Sequence, residues 1–209
     1  MTKLDLKKDL KHLYNPTHKQ VSEVTVPPMC YVMIDGAGDP NNSPTFEAAT
    51  ATLYGLSYTL KFASKKELGI DYSVMPLEGM WWVNDYSGPV DLSPNADRSG
   101  WRWTLMIMQP EHITPPMFEA AVVALRKKKN PANLDSVRFE CYDEGLSAQI
   151  MHIGPYSAEQ PTIERLHDYI ITQGYQLRAR HHEIYLSDPR KSAPEKMKTV
   201  LRQPMEKRS

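Results

Sequence analysis

The chain has 209 residues, and its 25 Lys and Arg balance 25 Asp and Glu, so the formal net charge is zero. A balanced charge argues against a nucleic-acid-binding protein, and no apolar run reaches the roughly 18–20 residues of a membrane-spanning helix. No apolar segment of the kind found in secretory signals follows the charged N-terminus. The two cysteines, Cys30 and Cys141, form neither a CxxC motif nor a disulfide framework. These features predict a soluble cytoplasmic protein of one large domain or two small ones.

The first half of the chain opens with an arm and continues with a strand, a helix and two strands. Leucine spacing at 3–14 predicts a short amphipathic helix or a semi-ordered arm, and the proline-containing stretch that follows predicts extended chain. Ser43 and Pro44 predict a helix start, because serine caps helices and proline suits the first helical position. The predicted elements are a strand at 29–34, a helix from 43 to about 66, and strands at 72–83 and 101–109 around a polar turn at 84–100.

The second half repeats the order strand, helix, strand, strand. The predicted elements are a helix at 114–129, strands at 137–142 and 146–153, a helix at 158–173, and strands at 180–186 and 198–202. Gly36 and Gly154 correspond in the two halves, since each ends a strand and precedes a helix.

This repetition predicts an α+β fold of two strand–helix–strand–strand modules related by a pseudo-twofold axis, with a central ligand cleft between them. The domain boundaries predicted from it are an N-terminal helix or arm at 1–28 and a single ligand-binding domain at 29–209. The two repeats within that domain are 29–110 and 111–209.

In the first repeat, strand alternation puts Glu78 on the same face as Met80 and Trp82. In the following strand, Met106 and Met108 share one face. Aromatic and sulfur-bearing side chains of this kind adapt to varied ligands, so these residues are candidates for binding a small molecule.

In the second repeat, Glu183 shares a face with His181 and Tyr185. A carboxylate in apolar surroundings is costly to ionise, so its pKa rises and it becomes a candidate acid or base. If the pseudo-twofold brings Glu78 near Glu183, their repulsion separates the two titrations further. The alternative is that both are edge or surface carboxylates with routine partners. His181 and His182 point to opposite faces and no HExxH spacing exists, so we expect no metal ion and no cofactor.

Four motifs, spread over most of the chain, carry a family resemblance. They are VPPM at 26–29, DGAGDP at 35–40, PLEGMWW at 76–82 and HHEIYLSDPR at 181–190. In these motifs the chain resembles the stand-alone GyrI-like small-molecule-binding proteins. The resemblance implies a duplicated strand–helix–strand–strand fold of the SHS2 type. Residues 1–28 are too few to hold the helix-turn-helix domain of the related multidrug-responsive transcription activators, so direct control of transcription is not expected.

The resemblance also implies a pocket, and it leaves more than one function open. In the effector-binding domains of those activators, an aromatic pocket with a buried glutamate receives cationic, lipophilic compounds, and cation–π contacts contribute. This chain would then bind lipophilic, aromatic or cationic small molecules in a cleft lined by Trp, Tyr, Met and glutamates. A different possibility is a protein-interaction role such as the protection of a topoisomerase. We expect a small-molecule partner, no nucleic acid and no membrane, with a monomer and a homodimer both open.

The alternative to binding is detoxification, because other stand-alone relatives are similar to hydrolases that open the strained ring of cyclopropanoid, DNA-alkylating natural products. In that case Glu183 is the base and Glu78 the acid, or the reverse. Tyr185 would support the developing negative charge. Trp82 and Tyr156 would hold the planar ligand by stacking.

Overall fold

The computed structural model describes residues 2–40, 43–83 and 100–208. Its α-helices are α1 (Leu6–Asp9), α2 (Lys11–Tyr14), α3 (Pro44–Glu67), α4 (Pro115–Lys128) and α5 (Gln160–Thr172). Its strands are β1 (Thr2–Leu4), β2 (Ser22–Val26), β3 (Met29–Ala37), β4 (Ile70–Tyr72), β5 (Leu77–Val83), β6 (Trp101–Gln109), β7 (Arg138–Tyr142), β8 (Gly145–Ile153), β9 (Tyr175–Leu177), β10 (His181–Tyr185) and β11 (Lys198–Lys207). The turn predicted at 84–100 lies outside the described residues except at its last position. Within those residues, no helix is both long and apolar enough to cross a membrane.

The long helix α3 begins where the sequence predicts it. The Ser43 hydroxyl accepts a hydrogen bond from the Phe46 backbone N–H at 3.2 Å, and Pro44 occupies the first helical turn. Leu53 and Leu56 recur at helical spacing and are fully buried. This apolar stripe packs α3 against β3 and β6.

The N-terminal arm is more broken than a single helix. α1 and α2 are separate turns of four residues each, and β1 pairs in parallel with β4. Leu13 and Tyr14 are nevertheless buried, and the Tyr14 hydroxyl donates a hydrogen bond to Glu78 at 2.8 Å. The arm is therefore docked on the sheet.

Nine strands of the described residues form one sheet: eight follow the order β2-β8-β11-β10-β5-β6-β3-β7, and β9 pairs with the end of β11. The expected α+β fold with a repeated strand–helix–strand–strand order is confirmed: the two units are β3-α3-β5-β6 and β8-α5-β10-β11. They meet where β5 and β10 pair antiparallel at the centre. β2 pairs with β8 and β7 pairs with β3, so the strand before each unit completes the edge of the other.

The two faces of this sheet are covered differently. Phe46 of α3 contacts Trp81, and His167 of α5 contacts His181, the residue directly opposite Trp81. Both helices therefore lie on one face, which we call the helix face. The N-terminal arm reaches the sheet through Tyr14 on the other face, which we call the arm face.

Cys30 and Cys141 lie directly opposite each other on β3 and β7 and form a disulfide bond. The expectation of two unlinked cysteines is therefore wrong. The two cysteines are 111 positions apart in the sequence, so local patterns do not reveal the pairing, which depends on β7 of the second half joining β3 of the first.

Candidate functional site

Glu78 and Glu183 lie on opposite faces of the sheet, so the pair that the sequence suggested does not form. In the β5–β10 ladder Glu183 faces Gly79, whereas Glu78 faces Ile184. Residues that face each other across an antiparallel pair share a face, and neighbours along a strand alternate. Glu183 is therefore on the helix face and Glu78 on the arm face. Matching the two halves at Glu78 and Glu183 is wrong by one residue, and a shift of one residue reverses the face.

On the helix face, Glu183 is held by a short chain of hydrogen bonds. The Tyr185 hydroxyl donates to Glu183 Oε2 at 2.8 Å and accepts from Trp81 Nε1 at 2.9 Å. Burial and the charge of Glu183 raise the pKa of Tyr185, so the phenol keeps its proton. Glu183 is 5% exposed. Tyr185 thus orients one carboxylate oxygen and leaves the other for further chemistry.

Gly79 makes room for this chain of hydrogen bonds. A Cβ at this position would lie 2.9 Å from Trp81 Nε1 and 3.0 Å from the Tyr185 hydroxyl. Both approaches are closer than ordinary contacts. The glycine of the PLEGMWW motif therefore allows the two side chains to meet over the strand.

A second carboxyl, Glu159, lies close to Glu183. It immediately precedes α5 and is 1% exposed, and its Oε1 has no hydrogen-bond partner among the described residues. Burial raises the pKa of Glu159 well above its usual range, the charge of Glu183 adds to this rise, and the Thr199 hydroxyl opposes it. The surroundings of Glu159 therefore favour its protonated form. We call Glu183, Glu159 and Tyr185 together the Glu183 site.

Aromatic rings border the Glu183 site. Tyr156 meets Tyr185 edge to face with ring centroids 5.6 Å apart, and Tyr156 is partly exposed at the rim. Behind Tyr185, the Trp81 ring stacks with Phe46 at 6.1 Å and meets Trp101 edge to face at 5.5 Å. Such surfaces hold planar apolar molecules well.

Three buried histidines lie around the same face and carry unused nitrogens. His152 Nε2, His167 Nε2 and both His181 ring nitrogens have no hydrogen-bond partner among the described residues. His181 Nε2 lies 3.6 Å from Glu183 Oε1. Burial lowers the pKa of His152, and burial together with His181 lowers that of His167 to about 4, so both rings are neutral near pH 7. The described residues also include no Lys or Arg paired with either carboxyl of the site.

On the arm face, Glu78 belongs to a fully buried polar network that we call the Glu78 cluster. Tyr14 donates to Glu78 Oε1 at 2.8 Å, and His182 Nε2 lies 3.0 Å from Glu78 Oε2. The other His182 nitrogen lies 2.9 Å from Glu144 Oε1, and Arg202 Nη1 donates to Glu144 Oε2 at 3.0 Å. Two carboxylates thus alternate with two cationic groups.

The charges of the Glu78 cluster stabilise one another. Burial works against ionisation, but His182 and Arg202 outweigh it and lower the pKa of Glu144 to about 2. Burial likewise works against a charged imidazole, but Glu144 and Glu78 outweigh it and raise the pKa of His182 to about 9. Arg202 also donates to the backbone oxygen of Leu13 at 2.6 Å. The cluster therefore fixes the arm to the sheet.

The predicted site residues divide between the two faces. Tyr185, His181 and Tyr156 accompany Glu183 on the helix face. The others lie on the arm face with Glu78: Trp82, Met80, Met106 and Met108. Met80 lines a shallow groove of 260 Å³ there, and the Arg180 guanidinium lies 3.5 Å from the centre of the Trp82 ring. The structure therefore brings only part of the predicted set together.

Sequence reasoning missed Glu159 and Trp81. Glu159 precedes Gln160 and Pro161 at a helix start, where an acidic residue is ordinary, and strand alternation says nothing about it. Strand alternation puts Trp81 on the face opposite Trp82, away from Glu78. The signal that would have found it is its neighbour Gly79, which marks a close approach of side chains over the strand.

The chain is similar to known proteins in both sequence and structure. The family model of the GyrI-like small molecule binding domain matches residues 103–204. An uncharacterized conserved protein from Listeria innocua is 36% identical, with a TM-score of 0.87 over 97% of this chain and 100% of that chain. A hydrolase from Listeria innocua is 38% identical, with a TM-score of 0.86 over 98% of this chain and 100% of that chain.

A more distant likeness concerns the fold alone. The C-terminal domain of EcmrR is 11% identical, with a TM-score of 0.57 over 90% of this chain and 98% of that chain. No curated protein sequence matches the chain.

Proposed function

Because the chain belongs to the GyrI-like family of small-molecule-binding proteins, we propose that its Glu183 site binds and hydrolyses an aromatic, lipophilic small molecule. The observation that carries this proposal is a buried carboxylate, oriented by Tyr185, beside a second carboxyl and an aromatic surface. The 38% identity to a hydrolase over the whole chain supports turnover rather than binding alone.

Within this proposal the ligand lies with its planar body against Tyr156 and the neighbouring rings. Stacking of this kind contributes about 0.5–1.5 kcal/mol per pair beyond the burial of apolar area. A polycyclic aromatic compound would use several such contacts and would expel water from the two carboxyls. We assign the substrate to the class of compounds that carry a strained, electrophilic ring, such as cyclopropanoid toxins. The role of the protein is then detoxification.

Glu183 acts as the general base. It removes a proton from a water molecule, and the water oxygen attacks a carbon of the strained ring. The carbon–carbon bond of the ring breaks, and its electron pair moves through the conjugated system to the carbonyl oxygen. Tyr185 positions the base: its one hydroxyl hydrogen is used by Glu183, so it does not reach the substrate in this arrangement.

The test is a spectroscopic assay with a cyclopropanoid indole substrate in molar excess over the protein. We expect the ultraviolet absorbance of the dienone to disappear with the wild-type chain and with Glu164→Gln, a change at an exposed residue of α5. The substrate should still bind the Glu183→Gln variant and quench its tryptophan fluorescence. The turnover of this variant should fall by about 10²–10⁴-fold. Absence of wild-type turnover would contradict the proposal.

A second candidate is a non-catalytic receptor for lipophilic cations. It is favoured by the negative charge of the Glu183 site, which no Lys or Arg of the described residues neutralises. Tetraphenylphosphonium distinguishes the two functions. A receptor should lose affinity for this cation in Glu183→Gln, whereas a hydrolase should lose turnover of the cyclopropanoid substrate and keep its affinity for it.

A further inference from the structure

Glu159 is the N-cap residue of α5, but its side chain does not cap the helix. Its backbone oxygen accepts hydrogen bonds from the Thr162 and Ile163 N–H groups at 2.8 and 3.0 Å, but its side chain makes no capping hydrogen bond. The carboxyl is buried instead, and Oε1 has no hydrogen-bond partner in the described parts of the chain. A structural role at the helix terminus therefore does not account for this side chain.

The surroundings of Glu159 favour its protonated form. An ionised carboxylate that is buried without full hydrogen bonding is costly, and the neighbouring charge of Glu183 adds to that cost. No Lys or Arg among the described residues offsets it. The groups that interact with Glu159, directly or through Tyr156, are Glu183 and Tyr185 on β10, Asp188 after β10, Thr199 on β11, Tyr156 before α5 and Tyr54 on α3. His152 on β8 interacts with Glu183.

We propose that Glu159 is the proton donor of this site and that its unpartnered oxygen meets the substrate oxygen on which negative charge develops. This inference rests on the proposed hydrolase function and adds a second catalytic residue to it. The two carboxyls then have different tasks: Glu183 accepts a proton from water, and Glu159 releases one to the substrate.

The protons balance within the pair. Water gives one proton to Glu183 and forms the new carbon–oxygen bond with its hydroxyl. The ring carbon–carbon bond breaks, and the oxygen that receives its electrons takes the proton of Glu159. The pair holds one proton before and after the step. A transfer of that proton from Glu183 to Glu159 restores the starting state, with no oxidant, reductant or cofactor.

This division of tasks narrows the substrate class. The substrate must present an electrophilic carbon to water and, in conjugation with it, an oxygen that becomes basic as the bond breaks. A strained ring joined to a conjugated carbonyl has both groups. In an ester or amide the electrophilic carbon is bonded directly to the oxygen that becomes basic, so we expect these compounds to be poor substrates.

The experiment compares wild type, Glu159→Gln and Glu164→Gln in the dienone assay between pH 5 and pH 10. Glutamine keeps the size of the side chain but has no acidic proton to release. We expect kcat to fall by about 10²-fold or more in Glu159→Gln, with quenching of tryptophan fluorescence by the substrate unchanged. The wild-type rate should also decline at alkaline pH, and the residual rate of Glu159→Gln should lack that decline.

Two results would overturn the inference on its own: a wild-type rate in Glu159→Gln, or an alkaline decline that this variant retains. Absence of turnover by the wild-type protein would instead overturn the proposed function, and the inference with it. If Glu159→Gln does not fold, the pH profile of the wild-type protein provides the test: a wild-type rate without an alkaline decline contradicts the inference.

Discussion

Glu78 and Glu183 lie on neighbouring strands of one sheet and both are buried, yet their hydrogen-bond and charge partners differ. Glu78 is surrounded by donors, and the cluster to which it belongs has balanced charge. Glu183 receives one hydrogen bond from Tyr185 and has a second carboxyl nearby. The first arrangement stabilises the fold, and the second retains unsatisfied groups that a ligand can use.

The difference shows how a functional carboxylate can be separated from a structural one without an alignment. A buried carboxylate whose partners neutralise it is a weak base, because its ionised form is already stabilised. A buried carboxyl next to another, with unpartnered histidine nitrogens around it, is poised for exchange of protons. The number of partners is more informative than burial itself.

The largest expected effect is on the arm face. Glu144→Gln removes the charge that both His182 and Arg202 face, which leaves two buried cations underpaired. We expect the free energy of unfolding to fall by about 3–5 kcal/mol. The measurement is urea unfolding followed by tryptophan fluorescence. The matched control is Glu140→Gln, which breaks an exposed ion pair with Arg138 and should cost about 0–1 kcal/mol.

Equal effects of these two substitutions would contradict the structural role of the Glu78 cluster. Additivity offers a second check. Glu144→Gln combined with Tyr14→Phe should cost less than the sum of the single changes, since both belong to one network.

The next effect is the pH dependence of stability. Folding raises the pKa of His182 from 6.5 to about 9, so the folded state binds the proton more tightly. Its contribution is fully present below pH 6.5 and is lost as the pH rises through about 9. A shift of this size corresponds to roughly 3 kcal/mol. Urea unfolding at pH 6 and pH 9 should show this loss, and Glu144→Gln should reduce it; equal pH dependence in both proteins would contradict the assignment.

Much of this fold could be predicted from local sequence. Ser43 and Pro44 mark the start of α3, and alternating residues identify β5, β6 and β10 and the side chains that share a face within each strand. Local patterns do not give the register between strands that are far apart in sequence. The relation between Glu78 and Glu183 depends on that register, and an error of one residue reverses it.

The site depended on features with weak local signals. Glu159 lies at a helix start where acids are common, and its burial results from α5 packing across β8 and β11. The arm contributes Tyr14 to the other face from a four-residue turn, too short for a clear helical period. Both contacts depend on tertiary structure.

The smallest effect sharpens the comparison between the faces. Glu183→Gln should raise the free energy of unfolding by about 0.5–1 kcal/mol at pH 7, because it removes a buried charge while glutamine still accepts the Tyr185 hydrogen bond. Urea unfolding measures it beside Glu144→Gln. Opposite signs for the same Glu→Gln change on the two faces would mean that one face serves stability and the other gives up stability for chemistry. A loss of about 3 kcal/mol in Glu183→Gln would instead mean that Glu183 is as fully partnered as Glu78, and its role as a base would lose its physical support.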